Sequence, residues 1–163
     1  MSILELSITN PEDLDKVFKI SDASSNPECK KFRSLYKTLM VWKSPLHIYM
    51  LDDLGFVAFT IGKRKNNMYE VCVREDVKQK GIGSQLFQFF LDNSKGKIKR
   101  WRTDERYDGY KFFTKKGYIP IKKEKHEFIY EVDDRVKNMA FSSQEIKQIV
   151  KDNTKKSKSL FDF

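Results

Sequence analysis

Apolar and polar positions change period several times along the chain, and the changes outline its elements. Residues 3–8 alternate loosely, as a strand does. Asn10, Pro11, Glu12 and Asp13 then read as a helix start. Asn caps, Pro fits the first helical position, and the acids favour the positive end of the helix dipole. Leu14, Val17, Phe18 and Ser21 follow at helical spacing. A second start lies at Asn26, Pro27 and Glu28. Its helix would carry Phe32, Leu35, Tyr36 and Leu39 on one face, with Lys30, Lys31, Arg33 and Lys37 elsewhere. Pro45 ends it.

Strands are predicted over 46–51 and 56–61, joined by a turn at Asp52, Asp53, Leu54 and Gly55. Residues 63–67 read as a polar turn and 68–73 as a third strand. A helical run follows over 84–93, with Leu86, Phe87, Phe90 and Leu91 forming its apolar face. Residues 98–103 suit a strand, 107–116 a short helix stopped by Gly117, and 118–121 with 127–132 a closing pair of strands. This mixed order predicts one α/β (α+β) layer fold over residues 1–133. After Asp133 and Asp134 the composition shifts. Ser142 and Glu145 resemble a capping box that opens a short helix over about 142–153. Residues 151–159 are polar and lysine-rich and are expected to be flexible, and residues 155–163 form the C-terminal tail.

Composition narrows the classes. The 163 residues suit one domain plus an extension. Cys29 and Cys72 lie far apart and in no ligand spacing, so they read as two reduced thiols. With only His47 and His126 besides, no metal site is expected. No apolar run reaches membrane-spanning length, and the N-terminus lacks the pattern of a secretion signal. A cytoplasmic protein is expected. The formal charge of +9 suits partners rich in phosphate, whether nucleic acid, acidic protein or polyphosphate ligand. A lysine-rich solvated surface would give the same number.

The chemistry concentrates in one turn. Val71, Cys72 and Val73 supply a strand, then Lys78, Gln79, Lys80, Gly81, Ile82, Gly83 and Ser84 lead into a helix. Free backbone N–H groups at a helix start attract anions, and glycines let phosphate oxygens approach. The turn lacks both the Gly-Lys-Ser/Thr ending of a P-loop and the third glycine of a dinucleotide fingerprint.

That turn resembles the signature of the GCN5-related N-acetyltransferases (GNAT), which reads Arg or Gln, two residues, Gly, one residue, then Gly or Ala. Lys78 stands at the first position here. Downstream, Phe112, Phe113, then Gly117 and Tyr118 resemble the family's Phe-Tyr, three residues, Gly-Phe ending. The resemblance spans about 3–132. It implies a mixed, mostly antiparallel sheet with flanking helices, and acetyl-CoA or another acyl-CoA as donor. It also implies that Val71 and Val73 pair with the pantetheine arm, while the amides of Lys78, Gln79, Lys80, Gly81, Ile82, Gly83 and Ser84 hold the pyrophosphate. The resemblance further implies that the strand of Val71 splays from the strand of Ile98, with the acyl group in that gap. Family members often dimerise, so a homodimer is compatible.

Two features depart from the family pattern. Phe113 stands where a Tyr often protonates the departing thiolate, which leaves Tyr110 or Tyr107 as substitutes. For the carboxylate that removes the acceptor's proton, Glu70 ranks first by its place beside the acyl channel, ahead of Asp104 and Glu105.

The C-terminus adds a second resemblance. Leu160, Phe161 and Phe163 end a basic stretch, as does the sliding-clamp-binding peptide of T-even phage DNA polymerases. This implies a phage protein in an infected bacterial cell, tethered to the clamp. Lys30, Lys31, Arg33, Lys63, Arg64, Arg100 and Arg102 would then meet DNA phosphates, with Trp101 stacking on a base, although a tryptophan in a strand also suits a core. Three functions stay open: an acyltransferase modifying DNA or a DNA-associated target, a GNAT acting on host proteins or a small amine, and a degenerate GNAT kept as a DNA- or clamp-binding module.

Overall fold

The computed structural model describes residues 2–78 and 80–134. The expected helix over 142–153 and the tail residues Leu160, Phe161 and Phe163 lie outside them. Seven strands form one sheet: β1 (Ile3–Leu6), β2 (Leu46–Leu51), β3 (Gly55–Ile61), β4 (Lys65–Val73), β5 (Ile98–Asp104), β6 (Lys122–Glu124) and β7 (Glu127–Val132). Their order is β1-β2-β3-β4-β5-β7-β6. Every neighbouring pair is antiparallel except β4 and β5. The helices are α1 (Pro11–Asp22), α2 (Pro27–Lys30), α3 (Phe32–Val41), α4 (Ile82–Asp92) and α5 (Asp108–Lys115).

Each face of the sheet has its own core. On one face, Val17, Phe18 and Ile20 of α1, Cys29 of α2, and Phe32 and Leu39 of α3 pack on Ile48, Met50, Phe56, Ala58 and Cys72. On the other, Ile82, Leu86, Phe87 and Phe90 of α4 and Phe113 of α5 meet Val57, Phe59, Met68, Trp101, Phe128 and Tyr130. Trp101 lies parallel to Tyr130 at 5.4 Å and edge-on to Phe87 at 5.0 Å. Pairs of this geometry add about 0.5–1.5 kcal/mol beyond the area they bury. Among the described residues no helix is long and apolar enough to cross a membrane.

The expected helix starts hold at atomic level. Asn10 Oδ1 accepts from the amides of Glu12 (2.8 Å) and Asp13 (3.4 Å), and Asn26 Oδ1 accepts from Glu28 (2.9 Å). The single helix expected after Asn26 is two, broken at Lys31, so α2 is one short turn. The polar turn expected over 63–67 is largely strand, because β4 begins at Lys65. Asn66 is fully buried there, donating to Ser94 Oγ (3.0 Å) and accepting from the Gly62 amide (3.2 Å). A buried amide satisfied on both sides is compatible with a strand interior. The penultimate strand runs over Lys122–Glu124 rather than 118–121. Tyr118 instead packs into the aromatic core against Trp101 and Phe87.

Two irregularities shape the centre of the sheet. β4 and β5 pair only from Lys65 with Ile98 to Met68 with Trp101. Residues 69–73 and 102–104 continue without pairing each other, which opens a wedge in the sheet. The second is a β-bulge, where Ala58 pairs with Glu70 but Phe59 pairs with Met68. Met68 and Cys72 are four apart and would share a face in a regular strand. The extra residue reverses the alternation. Met68 therefore packs on the α4 face and Cys72 on the α1–α3 face.

Candidate active site

The wedge gathers residues from four elements. Its β4 wall carries Glu70, Val71, Cys72 and Val73. Its β5 wall ends at Thr103 and Asp104. Below β4 the chain makes a short 3-10 turn over Glu75–Val77 and enters α4 through Gly81. Gly81 takes φ +80°, a left-handed conformation that glycine adopts without steric cost. No side chain caps the first turn of α4. The amides of Ile82, Gly83 and Ser84 thus start a helix without a side-chain cap among the described residues, next to the end of β4. A Cβ on Gly83 would stand 3.6 Å from Val73 Cγ2. Val71 and Val73 are half-buried, with their side chains on the α4 face.

Lys78 is already engaged. Its ammonium pairs with Glu75 (2.7 Å) and donates to Ser25 Oγ (3.2 Å). Lys78 and the Ser25 amide together hold the exposed Glu75 carboxyl down at about 2. Lys80 is exposed, and Gln79 lies outside the described residues.

Helix α2 crosses the wedge. On the β4 side, Cys29 Sγ lies 3.8 Å from Glu70 Oε1 and 3.6 Å from the Val71 carbonyl oxygen. Cys29 and Cys72 are joined as a disulfide, which corrects the expectation of two separate thiols. Their 43-residue separation hid a Cα–Cα distance of 5.8 Å. On the β5 side, Glu28 Oε1 accepts from the Asp104 amide at 3.2 Å. Among the described residues, Cys29, Glu70 and Cys72 are the one group of metal-ligand types within mutual reach, with donor atoms inside 4.8 Å. With its sulfurs bonded to each other, the group offers no thiolates to a metal.

The two carboxyls in the wedge stand apart from the acids around them. Asp104 is paired with Arg106 (2.6 Å), Glu105 with Lys123 (2.7 Å) and His126 (3.0 Å), and Glu127 with Arg102 (3.1 Å). Neither Glu28 nor Glu70 has an ion-pair partner among the described residues. Burial raises the Glu28 carboxyl to about 7, against the bond from the Asp104 amide, and the charges of Asp104 and Glu127 add to the rise. Burial also lifts Glu70 well above the usual carboxylate range, and the charge of Glu28 lifts it further. Glu70 is surrounded by protein yet only part-buried, as befits the floor of an open cleft.

The remaining expected site residues divide. Phe113 is buried against Phe87, Trp101 and Tyr130, so it is a core side chain. Tyr110 stacks on Phe128 at 4.8 Å, and Tyr107 lies under the Arg106 guanidinium at 5.4 Å. Trp101 is 1% exposed and cannot stack on a base, which corrects that expectation. Arg33 is bound to Asp22 and lies over the Phe18 ring, Arg100 faces Glu131, and Arg102 is bound by Glu124 and Glu127. Lys30, Lys31, Lys63 and Arg64 are exposed and make no ion pair among the described residues. Glu28 was read from sequence only as a helix-start acid. Its role depends on a contact 76 residues away, which no local pattern signals.

Comparison with known proteins agrees with this geometry. Residues 44–120 match the family model described as "Acetyltransferase (GNAT) domain". No curated protein matches the chain. Among solved structures, the chain is similar to the PaiA N-acetyltransferase of Thermoplasma acidophilum in complex with coenzyme A. The two share 19% identity over 82% of this chain and 99% of that one, with a TM-score of 0.60. An aminoglycoside 6'-N-acetyltransferase from Enterococcus faecium shares 15% identity over 82% and 97%, with a TM-score of 0.61. An aminoglycoside 6'-N-acetyltransferase complexed with coenzyme A shares 14% over 82% and 97%, also at 0.61. With the wedge beside the glycine turn and the split sheet, the chain has the mixed α/β GNAT fold, and residues 44–120 match the model of that family's acetyltransferase domain.

Proposed function

We propose that this protein transfers an acyl group from acetyl-CoA or another acyl-CoA to an amine. The observation that carries the reading is the wedge. β4 leaves its parallel partner beside a glycine turn whose helix amides are uncapped. Pyrophosphate suits those amides, and the unpaired edge of β4 suits the amides of a pantetheine arm. Two similar structures hold coenzyme A. An acyl group in the wedge would lie beside Glu28 and Glu70, the carboxyls without cations. The test is a thermal shift with acetyl-CoA, coenzyme A and NAD in parallel. A ligand at 100 times its dissociation constant stabilises by about 2.7 kcal/mol. Stabilisation by the first two and not by NAD is expected. No shift with either coenzyme A species would favour the binding-module reading.

The finer proposal is that the acceptor is DNA or DNA-associated, with Leu160, Phe161 and Phe163 docking on a phage sliding clamp. The net charge of +9 and the exposed Lys30, Lys31, Lys63 and Arg64, which make no ion pair among the described residues, support it. The rival acceptor is a host protein or small amine, and the carboxyls in the wedge favour a cationic amine over a neutral base. Labelled acetyl-CoA incubated with DNA and with host lysate separates them by where the label goes.

A further inference from the structure

We propose that Glu28, carried on α2 across the wedge, takes the proton from the acceptor amine, and that Glu70 on the facing wall does not. The inference rests on the acyltransferase reading and assigns the proton step within it.

The geometry places Glu28 where an acceptor must pass. α2 touches both walls, through Cys29 at β4 and through Glu28 at β5. Only one Glu28 oxygen is engaged, by the Asp104 amide. That oxygen lies 3.7 Å from where a Cβ on Gly109 would be, so the carboxyl sits between β5 and the start of α5. The other oxygen has no protein partner among the described residues and remains to accept a proton. The disulfide at the next residue fixes α2 against β4, and the Asn26 cap fixes its first turn. A carboxyl held at both ends of its helix is positioned without help from the ligand.

The charges facing Glu28 are Asp104 on β5, Glu127 on β7, Lys31 at the end of α2, and Glu70 on β4. Arg106 neutralises Asp104 and Arg102 neutralises Glu127. Burial, with the charges of Asp104 and Glu127 adding, raises Glu28 to about 7, near the working pH where a general base is most effective. Glu70 instead lies against the Cys29 sulfur at 3.8 Å on the β4 wall, and burial, with the charge of Glu28 adding, lifts its carboxyl well above the usual carboxylate range.

The step balances without a tyrosine. The acceptor ammonium gives one proton to Glu28. Its nitrogen then forms a bond to the acyl carbon as the carbon–sulfur bond breaks, and the electron pair leaves on sulfur. The second N–H proton goes with that thiolate. Phe113 in the position of an acid is compatible with this route.

The test compares wild type, E28Q and E70Q in the full chain, with two acceptor probes. n-Butylamine is protonated at neutral pH, and methoxyamine is not. E28Q is expected to lose at least tenfold in kcat/KM on butylamine and the acidic limb of its pH profile, with a much smaller loss on methoxyamine. E70Q is expected to keep that limb. Carboxyl NMR titration of the wild type is read alongside, with Glu28 expected to titrate near neutrality. An unchanged pH profile in E28Q, loss of the limb in E70Q, or a Glu28 titration in the ordinary carboxylate range would each overturn the proposal. Failure of coenzyme A to shift the melting temperature would instead bring down the acyltransferase reading.

Discussion

At the scale of the residue, the wedge shows how environment rather than identity assigns roles. Of the acids close to the β5 terminus, Asp104 and Glu105 are lowered beside their cations, whereas Glu28, without one among the described residues, is raised by burial. The raised Glu28 carries a stability signature. Its native titration lies above its unfolded one, so the native state binds the extra proton. Stability from this group is full below about 4.5 and is lost as pH rises through about 7. A shift of that size corresponds to about 3 kcal/mol. E28Q should therefore be more stable than wild type at pH 8 and should lack the fall between those values, as thermal melts across pH will show. Phe113 gives a second expectation. F113Y restores a phenol at the family position but inserts a hydroxyl among Trp101, Phe87 and Tyr130. It should cost about 1–3 kcal/mol and not raise turnover, checked by urea melts and thiol release. The glycine turn gives a third. G81A forces a side chain onto φ +80° and should cost about 1 kcal/mol and weaken coenzyme A binding, measured by calorimetry.

At the scale of the element, caps and strands were legible because their signals are local. Asn10 and Asn26 were readable as caps, and β2 and β7 as alternating runs, from a few residues each. What escaped was set by distant partners. Asn66 looks like turn chemistry until Ser94 supplies its acceptor. Cys29 and Cys72 look independent until α2 packs on β4. Trp101 looks available for stacking until α4 and α5 close over it. The glycine turn was legible in sequence, whereas the place of Glu28, on the opposite side of the wedge, was not. The disulfide makes a further expectation. It closes a 43-residue separation and ties the four-residue α2, too short to hold itself, to the sheet. C72S should lower stability by about 2–4 kcal/mol in denaturant melts. It should also release α2 before the sheet opens, as faster amide exchange at Cys29 and Lys30.

At the scale of the whole molecule, charge and site point in different directions. The surface is strongly basic, whereas the wedge holds two carboxyls without cations. A basic exterior gathers phosphate-rich partners, and an acidic recess selects a cation. If DNA is the partner, its affinity must fall steeply with salt and K63A/R64A should flatten that slope by about 1–2, while leaving coenzyme A binding alone. The sheet itself is two antiparallel runs joined by a short parallel seam, and the recess exists because that seam stops early.

The bulge at Tyr69 sets which face of the sheet each later residue of β4 takes. Downstream of it, every side chain of β4 faces the opposite way from where simple alternation would put it. One residue of backbone, rather than the chemistry of any side chain, therefore decides that Glu70 and Cys72 look toward α2 while Val71 and Val73 look toward α4. The same residues paired regularly, without the bulge, would keep every functional group and still present valines to the acceptor and a carboxylate to the core.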